Sequence, residues 1–183
     1  MNLIDLLMGE QNKDTISQIA RQFDLSEEQT RGAIGQLLPS LQRGVQHNTS
    51  DEKGLDELLA AIEKGNHGRY LDEPSILGQQ QTTDDGNSIL GHIFGSKDVS
   101  RRVASNAAEQ TGLSSGLMKK LLPIVASIAM GAMSKQIFGG GNSSATRRAA
   151  PTQSRGIVAS MLDSDNDGSV IDDILGMAFK AMR

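Results

Sequence analysis

Wherever apolar residues recur in this chain, they recur at helical spacing. Ile16, Ile19, Ala20 and Phe23 fall at i, i+3, i+4 and i+7, one face of a helix that Asp14 is placed to cap. Ser26 and Gln29 form a capping box ahead of a second stripe, Ile34, Leu37, Leu38, Leu41 and Val45. Pro39 lies inside that stripe, so a kink or break is expected there. Asp51 opens a third helix with Leu55, Leu58, Leu59 and Ile62, and Gly65 stops it. Residues 65–87 read as a connector rich in Gly, Gln and Asp, followed by a short apolar helix, Ile89 to Phe94. Asp98 is the expected cap of a helix carrying Val99, Val103 and Ala107. A turn at Thr111-Gly112 leads into Leu117, Met118, Leu121, Leu122 and an apolar run to Met133. No segment shows the period-two alternation of a half-buried strand.

The expected fold is therefore all-α: a helical bundle over 1–138, built of two related helical-hairpin units and containing the connector 65–87. Composition agrees. Aromatic residues are 3% of the chain and Trp is absent, so the core falls to Leu, Ile, Val, Ala and eight Met. The Gly/Ser-rich stretch 139–156 reads as a flexible linker, and 157–183 as an Asp-rich loop with a C-terminal helix.

The two hairpins resemble each other. Ala20-Arg21-Gln22-Phe23-Asp24-Leu25-Ser26 parallels Ala108-Glu109-Gln110-Thr111-Gly112-Leu113-Ser114. Leu37-Leu38-Pro39 then parallels Leu121-Leu122-Pro123, with a spacing shorter by four residues. Turn and proline recur in the same order, as in an internal duplication.

Charge and leader signals narrow the classes further. The net charge of −4 does not favour wholesale phosphate binding. The absence of cysteine excludes disulfides, thiolate metal sites and Cys nucleophiles. Met1 to Leu7 carries an acid early and no basic leader region, so a cytoplasmic location is expected. In the most apolar run, Leu121 to Met133, Pro123, Ser127 and Gly131 are interruptions. It falls short of the roughly 20 residues a spanning helix needs, so a core helix is expected and membrane spanning is not.

One string is specific enough to suggest kinship. Asp85-Gly86-Asn87-Ser88-Ile89-Leu90-Gly91-His92-Ile93-Phe94-Gly95 is followed by Thr111-Gly112-Leu113-Ser114 and Leu121-Leu122-Pro123-Ile124-Val125-Ala126. Together they resemble the bacterial domain-of-unknown-function 937 family, related to the YidB-like helical proteins. The resemblance spans about residues 1–138 and extends to the Asp-rich tail. It implies an all-helical bundle and brings no catalytic or cofactor-binding residues with it.

The sharpest chemical motif lies in that tail. Asp163, Asp165 and Asp167 take positions 1, 3 and 5 of an EF-hand-type loop, Gly168 makes the turn at position 6, and the Ser169 carbonyl suits position 7. Alternate carboxylates on a tight turn supply the oxygens that hard Ca²⁺ wants. Position 12 should be a bidentate Glu and is Ile174, and the nearest acids are Asp172 and Asp173. The loop resembles the shortened calcium loops of dockerin-like and excalibur-type modules. The plainer alternative is an Asp/Asn/Gly turn that caps the last helix.

A second motif, Ile16 to Arg31, has helix-turn-helix spacing. Its second helix starts Ser26-Glu27-Glu28-Gln29, two acids where DNA would bring negative charge, so a plain αα-hairpin is the better reading. His47, His67 and His92 are dispersed and form no ligand pair. Arg101-Arg102, Lys119-Lys120 and Arg147-Arg148 are small basic spots with solvated faces as their default. No nucleophile elbow, Walker loop or dinucleotide glycine pattern is present. The reading that follows is a non-enzymatic interaction or scaffold protein, with a protein partner or self-association and a structural Ca²⁺ loop. The alternatives are a helix-turn-helix nucleic-acid binder and, second, an enzyme.

Overall fold

A computed structural model of the chain describes residues 3–50 and 52–138. The linker 139–156, the candidate calcium residues and the tail helix lie outside the described residues. The described part is all-α. In chain order, α1 is Leu3–Met8, α2 Lys13–Phe23, α3 Glu27–Asn48, α4 Glu52–Lys64, α5 Arg69–Asp72, α6 Gln80–Phe94, α7 Lys97–Thr111 and α8 Ser115–Phe138. Short 3-10 turns precede α2, at Glu10–Asn12, and α6, at Pro74–Gly78.

The two hairpins are built alike. Helix α2 ends at Asp24 in the left-handed region (φ 54°), and Leu25 N–H closes back on the Ala20 carbonyl at 2.9 Å. Ser26 then caps α3, its Oγ accepting from Gln29 N–H at 3.0 Å while Gln29 Oε1 accepts from Ser26 N–H. Helix α7 ends the same way at Gly112 (φ 70°), and Ser114 Oγ accepts from Leu117 N–H at 3.2 Å at the start of α8. A left-handed residue, a leucine and a serine cap thus turn the chain in both places.

Several local expectations need correction. Both prolines sit inside unbroken helices: α3 runs through Pro39 and α8 through Pro123. Leu37, Leu38 and Leu41 are buried around the first and Leu121, Leu122 and Ile124 around the second, so tertiary packing holds the helix across the missing N–H. Helix α8 is consequently 24 residues long, not an interrupted segment. Its stretch Ser115–Ile137 is long and apolar enough to cross a membrane, and 78% of the apolar window is buried within the bundle. The cap of α7 is Ser96, whose Oγ accepts from Asp98 N–H at 3.1 Å; Asp98 instead pairs with Arg101 at 2.9 Å. Helix α2 already begins at Lys13, which puts Asp14 in its first turn.

The connector read over 65–87 is ordered throughout. It contains α5, a 3-10 turn and the first half of α6, because Gly86 and the Gln/Asp run occupy helical positions. The reason lies on α8. Pro123, Ser127, Gly131 and Lys135 are spaced by four and share one helix face. A Cβ on Gly86 would lie 2.0 Å from the Pro123 carbonyl oxygen, so α6 and α8 meet backbone to backbone. Ser127 Oγ donates to the Thr82 carbonyl at 3.1 Å, one turn along on both helices. A Cβ on Gly131 would lie 2.5 Å from the His67 carbonyl oxygen. Lys135 then pairs with Asp72. The three apparent interruptions of the apolar run are the surface on which α6 and the segment 65–79 rest.

Helix α8 is the axis of the bundle, with α1, α3, α4, α5, α6 and α7 packed on it. The core beside it leaves a cavity of about 10 Å³ lined by Leu41, Val45, Ile93, Ala126, Ala129, Met130 and Met133. That is room for about one water, in apolar surroundings that do not favour one.

Glycine substitutions test this packing. Gly86→Ala places a methyl inside backbone and is expected to cost about 1–3 kcal/mol or more, as overpacking does. Gly91→Ala, on the open side of the same helix with nothing within 4 Å, is expected to gain about 0.5–1 kcal/mol. Urea denaturation of the two variants measures both; a Gly86→Ala protein as stable as Gly91→Ala would refute the close crossing.

Candidate functional site

Polar side chains converge under the segment 65–79. Gly65 and Gly68 bracket His67, and α5 follows at once with Arg69 and Tyr70. Tyr70 is 1% exposed and is the chain's single tyrosine. Its hydroxyl donates to Asp85 Oδ2, on α6. Arg69 Nη2 donates both to Tyr70 Oη, at 2.9 Å, and to the same carboxylate oxygen, at 3.0 Å. A buried phenol hydroxyl needs a partner, and here one carboxylate serves phenol and guanidinium together. Asp85 is placed one residue before Gly86, so the close crossing of α6 on α8 fixes the carboxylate's position.

His67 completes the cluster. It is 8% exposed, its ring stacks near Tyr70 with centroids 6.0 Å apart, and it lies against Gly65, where any Cβ would collide with the imidazole. Among the described residues, the buried side-chain polar atoms without a partner are His67 Nδ1 and Arg69 Nε. Burial holds the His67 pKa below its ordinary value; Asp85 opposes the shift and Arg69 adds to it. Burial, then the hydrogen bond to Asp85, pushes the Tyr70 phenol up. The hydrogen bond to Tyr70 is the largest influence raising Arg69.

Chemically this is a latch. Tyr70 Oη, Arg69 Nη2 and Asp85 Oδ2 engage one another, and two buried nitrogens beside them, His67 Nδ1 and Arg69 Nε, have no partner. In sequence His67 stands apart from the other histidines, and nothing there marks Arg69, Tyr70 and Asp85 as a unit. The available signal was Tyr70 itself, a lone tyrosine in a Trp-free chain within a Gly-rich stretch.

Asp163, Asp165, Asp167, Ser169, Asp172 and Asp173 lie outside the described residues, and so does any contact they make. The described residues contain no cluster of three or more His, Asp or Glu disposed to hold a metal. His47 and His92 are exposed and apart from the latch. Helices α2 and α3 do form a helix-turn-helix hairpin, but the start of α3 is committed internally. Glu27 accepts from Ser17, Gln29 closes the capping box, and Arg31 donates to the Met8 carbonyl at 3.0 Å.

The latch is expected to stabilise the bundle in a graded way. Tyr70→Phe removes one hydrogen bond and is expected to cost about 1 kcal/mol. Asp85→Ala strands a buried phenol and a guanidinium and is expected to cost more, up to about 3 kcal/mol. Asp72→Asn breaks an ion pair whose side chains are 44% and 62% exposed, so about 0–1 kcal/mol is expected. The order is read from urea midpoints at pH 7.5; equal effects at Asp72 and Asp85 would contradict it.

The described helices coincide with a family match. The model of a bacterial protein of unknown function (DUF937) matches residues 5–136, which takes in both hairpins, the segment 65–79 and the whole latch. No curated protein and no solved structure matches the chain. The match runs over most of the sequence, and the chain belongs to the DUF937 family of bacterial proteins.

Proposed function

We propose that this chain is a non-enzymatic helical interaction or scaffold protein that binds a protein partner or a second copy of itself. The observation that supports the reading is the latch. Arg69, Tyr70 and Asp85, the groups best placed to act on a substrate, are spent on one another in holding α5 to α6. The tail supplies the recognition element in this proposal. Ile171, Ile174, Leu175, Ala178, Phe179 and Met182 form a stripe at i, i+3, i+4, i+7, i+8 and i+11. A helix of that length is marginal alone and needs a partner surface or a pinned start. In this reading Ca²⁺, held by Asp163, Asp165, Asp167, the Ser169 carbonyl and Asp172 or Asp173, relieves the acid repulsion and pins the start.

Sedimentation of the full chain in millimolar Ca²⁺ and in chelator, with cross-linking in the protein's own cells, tests the interaction. Phe179→Asp is expected to abolish whatever association the wild type shows. A wild type that is monomeric and cross-links to no other chain would overturn the proposal. Calorimetry tests the ion separately. Without Glu at position 12 the affinity is expected near the weak extracellular-module range, about 10⁻⁴ M. Asp163→Ala with Asp167→Ala should remove the heat, and no heat from the wild type at millimolar Ca²⁺ ends the calcium assignment.

A further inference from the structure

We propose that residues 65–79 form a pH-responsive strap, closed over α8 while His67 is neutral and released when its buried ring takes up a proton. The geometry that carries this is the setting of one nitrogen. The neutral ring gives a hydrogen bond to the Ala61 carbonyl of α4, and Nδ1 is left buried and bare. Protonation adds an N–H at Nδ1, where no acceptor waits. A buried donor without an acceptor costs about 1–3 kcal/mol, and more when charged. The strap cannot shift to supply one while closed. Its backbone is seated against Gly131 at the His67 carbonyl, and its ring is seated against Gly65. Opening is the route by which the imidazolium reaches water.

The charges around the ring are these. On α5, Arg69 disfavours the imidazolium; on α6, Asp85 favours it. From α4 the Ala61 carbonyl faces the ring, and the side chains of Glu63 and Lys64 lie outside the described residues. On α8 the facing element is backbone at Gly131, with Lys135 passing over Gly68 to pair with Asp72. Burial outweighs the pull of Asp85, so the closed strap holds the ring's pKa below that of the open one. The closed form therefore binds fewer protons. Its stability is full above the ordinary imidazole value of about 6.5 and falls as the pH drops from there toward the lowered one. Single-proton linkage raises the opening equilibrium by up to about tenfold per pH unit in that window.

The remaining apolar anchors of the strap, Tyr70 and Leu77, explain why release is local. Leu77 is fully buried, and Gln22 reaches its carbonyl from α2. Apart from Tyr70, whose phenol is pushed up and stays neutral in this range, the core from Ile16 to Met133 contains no other buried titratable side chain among the described residues. Acid thus acts on the strap while α3, α7 and α8 keep their packing.

Tyr70, the single tyrosine in a chain without Trp, makes the test direct, since its emission reports this site alone. Emission of the full chain is followed from pH 7.5 to 5.5, above the ordinary carboxylate range, with hydrogen-exchange protection factors for 67–79 and for α8. The wild type should show a reversible one-proton transition with its midpoint below pH 6.5. Protection in 67–79 should fall up to about tenfold while α8 is unchanged. His67→Gln should flatten both signals, and His92→Gln should leave them intact. Asp85→Asn removes the charge that favours the imidazolium in the closed strap and weakens the latch, so it should move release to higher pH, and it decides the matter should His67→Gln fail to fold. No transition in the wild type overturns the proposal, as does its survival in His67→Gln. A midpoint that falls in Asp85→Asn, or a loss of protection shared equally by α8, overturns it too.

Discussion

The close approach of α6 to α8, backbone on backbone at Gly86 and Pro123, is the contact on which the rest of the arrangement depends. It sets the distance between the two helices at a point where neither has a side chain to yield. From that fixed point the spacing of four along α8 dictates the sequence of contacts. Ser127 meets the Thr82 carbonyl, Gly131 meets the His67 carbonyl, and Lys135 meets Asp72. Asp85 is carried beside Gly86 into reach of Tyr70. Moving α6 outward by the width of a methyl would slacken its contacts at Pro123, Ser127 and Tyr70 at once. Interiors close-packed at this level transmit such a shift rather than absorb it.

The proline within α8 belongs to the same logic. A proline in mid-helix ordinarily costs about 3 kcal/mol through its missing N–H and its clash with the preceding turn. Pro123 is retained inside a continuous helix surrounded by Leu121, Leu122, Ile124 and Val125, all buried. Its carbonyl side is the face presented to Gly86. In α3, Pro39 occupies the corresponding place after a paired leucine, and Arg43 donates to its carbonyl at 3.3 Å. The two hairpins share their turn chemistry closely, with left-handed Asp24 and Gly112 and serine caps at Ser26 and Ser114. They differ in what the proline faces: Pro123 lies in the stretch 121–133 of α8, every residue of which is buried, whereas Pro39 is only half-buried.

How much of this was legible in the sequence follows from what periodicity measures. Apolar spacing reports one buried face, so the stripes of α2, α3 and α4 and the hairpin caps could be read from it. It says little about the middle of α8, 121–133, which is buried all round and has no stripe to find. There the small residues carry the information, and Pro123, Ser127 and Gly131 look like interruptions until their common face is seen. The composition of 79–87, Gln and Asp with a glycine, is that of a loop by local propensity. It becomes helix because Gly86 is wanted at a crossing, a tertiary demand that overrides propensity. The latch was hidden for a related reason. Arg69 and Tyr70 lie some fifteen residues from Asp85 in sequence, and only the turn at Pro74–Gly78 brings them together. The DUF937 resemblance rests on three strings, 85–95, 111–114 and 121–126, and the first opens with the latch carboxylate and the crossing glycine.

A seam of small residues carries an energetic consequence that explains the polar cluster. Backbone-to-backbone contact gains dispersion but removes little apolar area per residue. The segment 65–79 has few large apolar side chains with which to compensate. Tyr70 and Leu77 are its fully buried anchors, and His67 is enclosed beside them. Tyrosine supplies more area than leucine but brings a hydroxyl that must be satisfied once buried. Asp85 satisfies it, and Arg69, in the neighbouring position, donates to the same half-buried carboxylate and to the phenol. The polar groups are thus a sequence of obligations. A small-residue crossing requires a bulky anchor, the anchor requires an acceptor, and the acceptor is shared with Arg69. The chain of requirements ends at His67 Nδ1 and Arg69 Nε, the two buried nitrogens it leaves unmet.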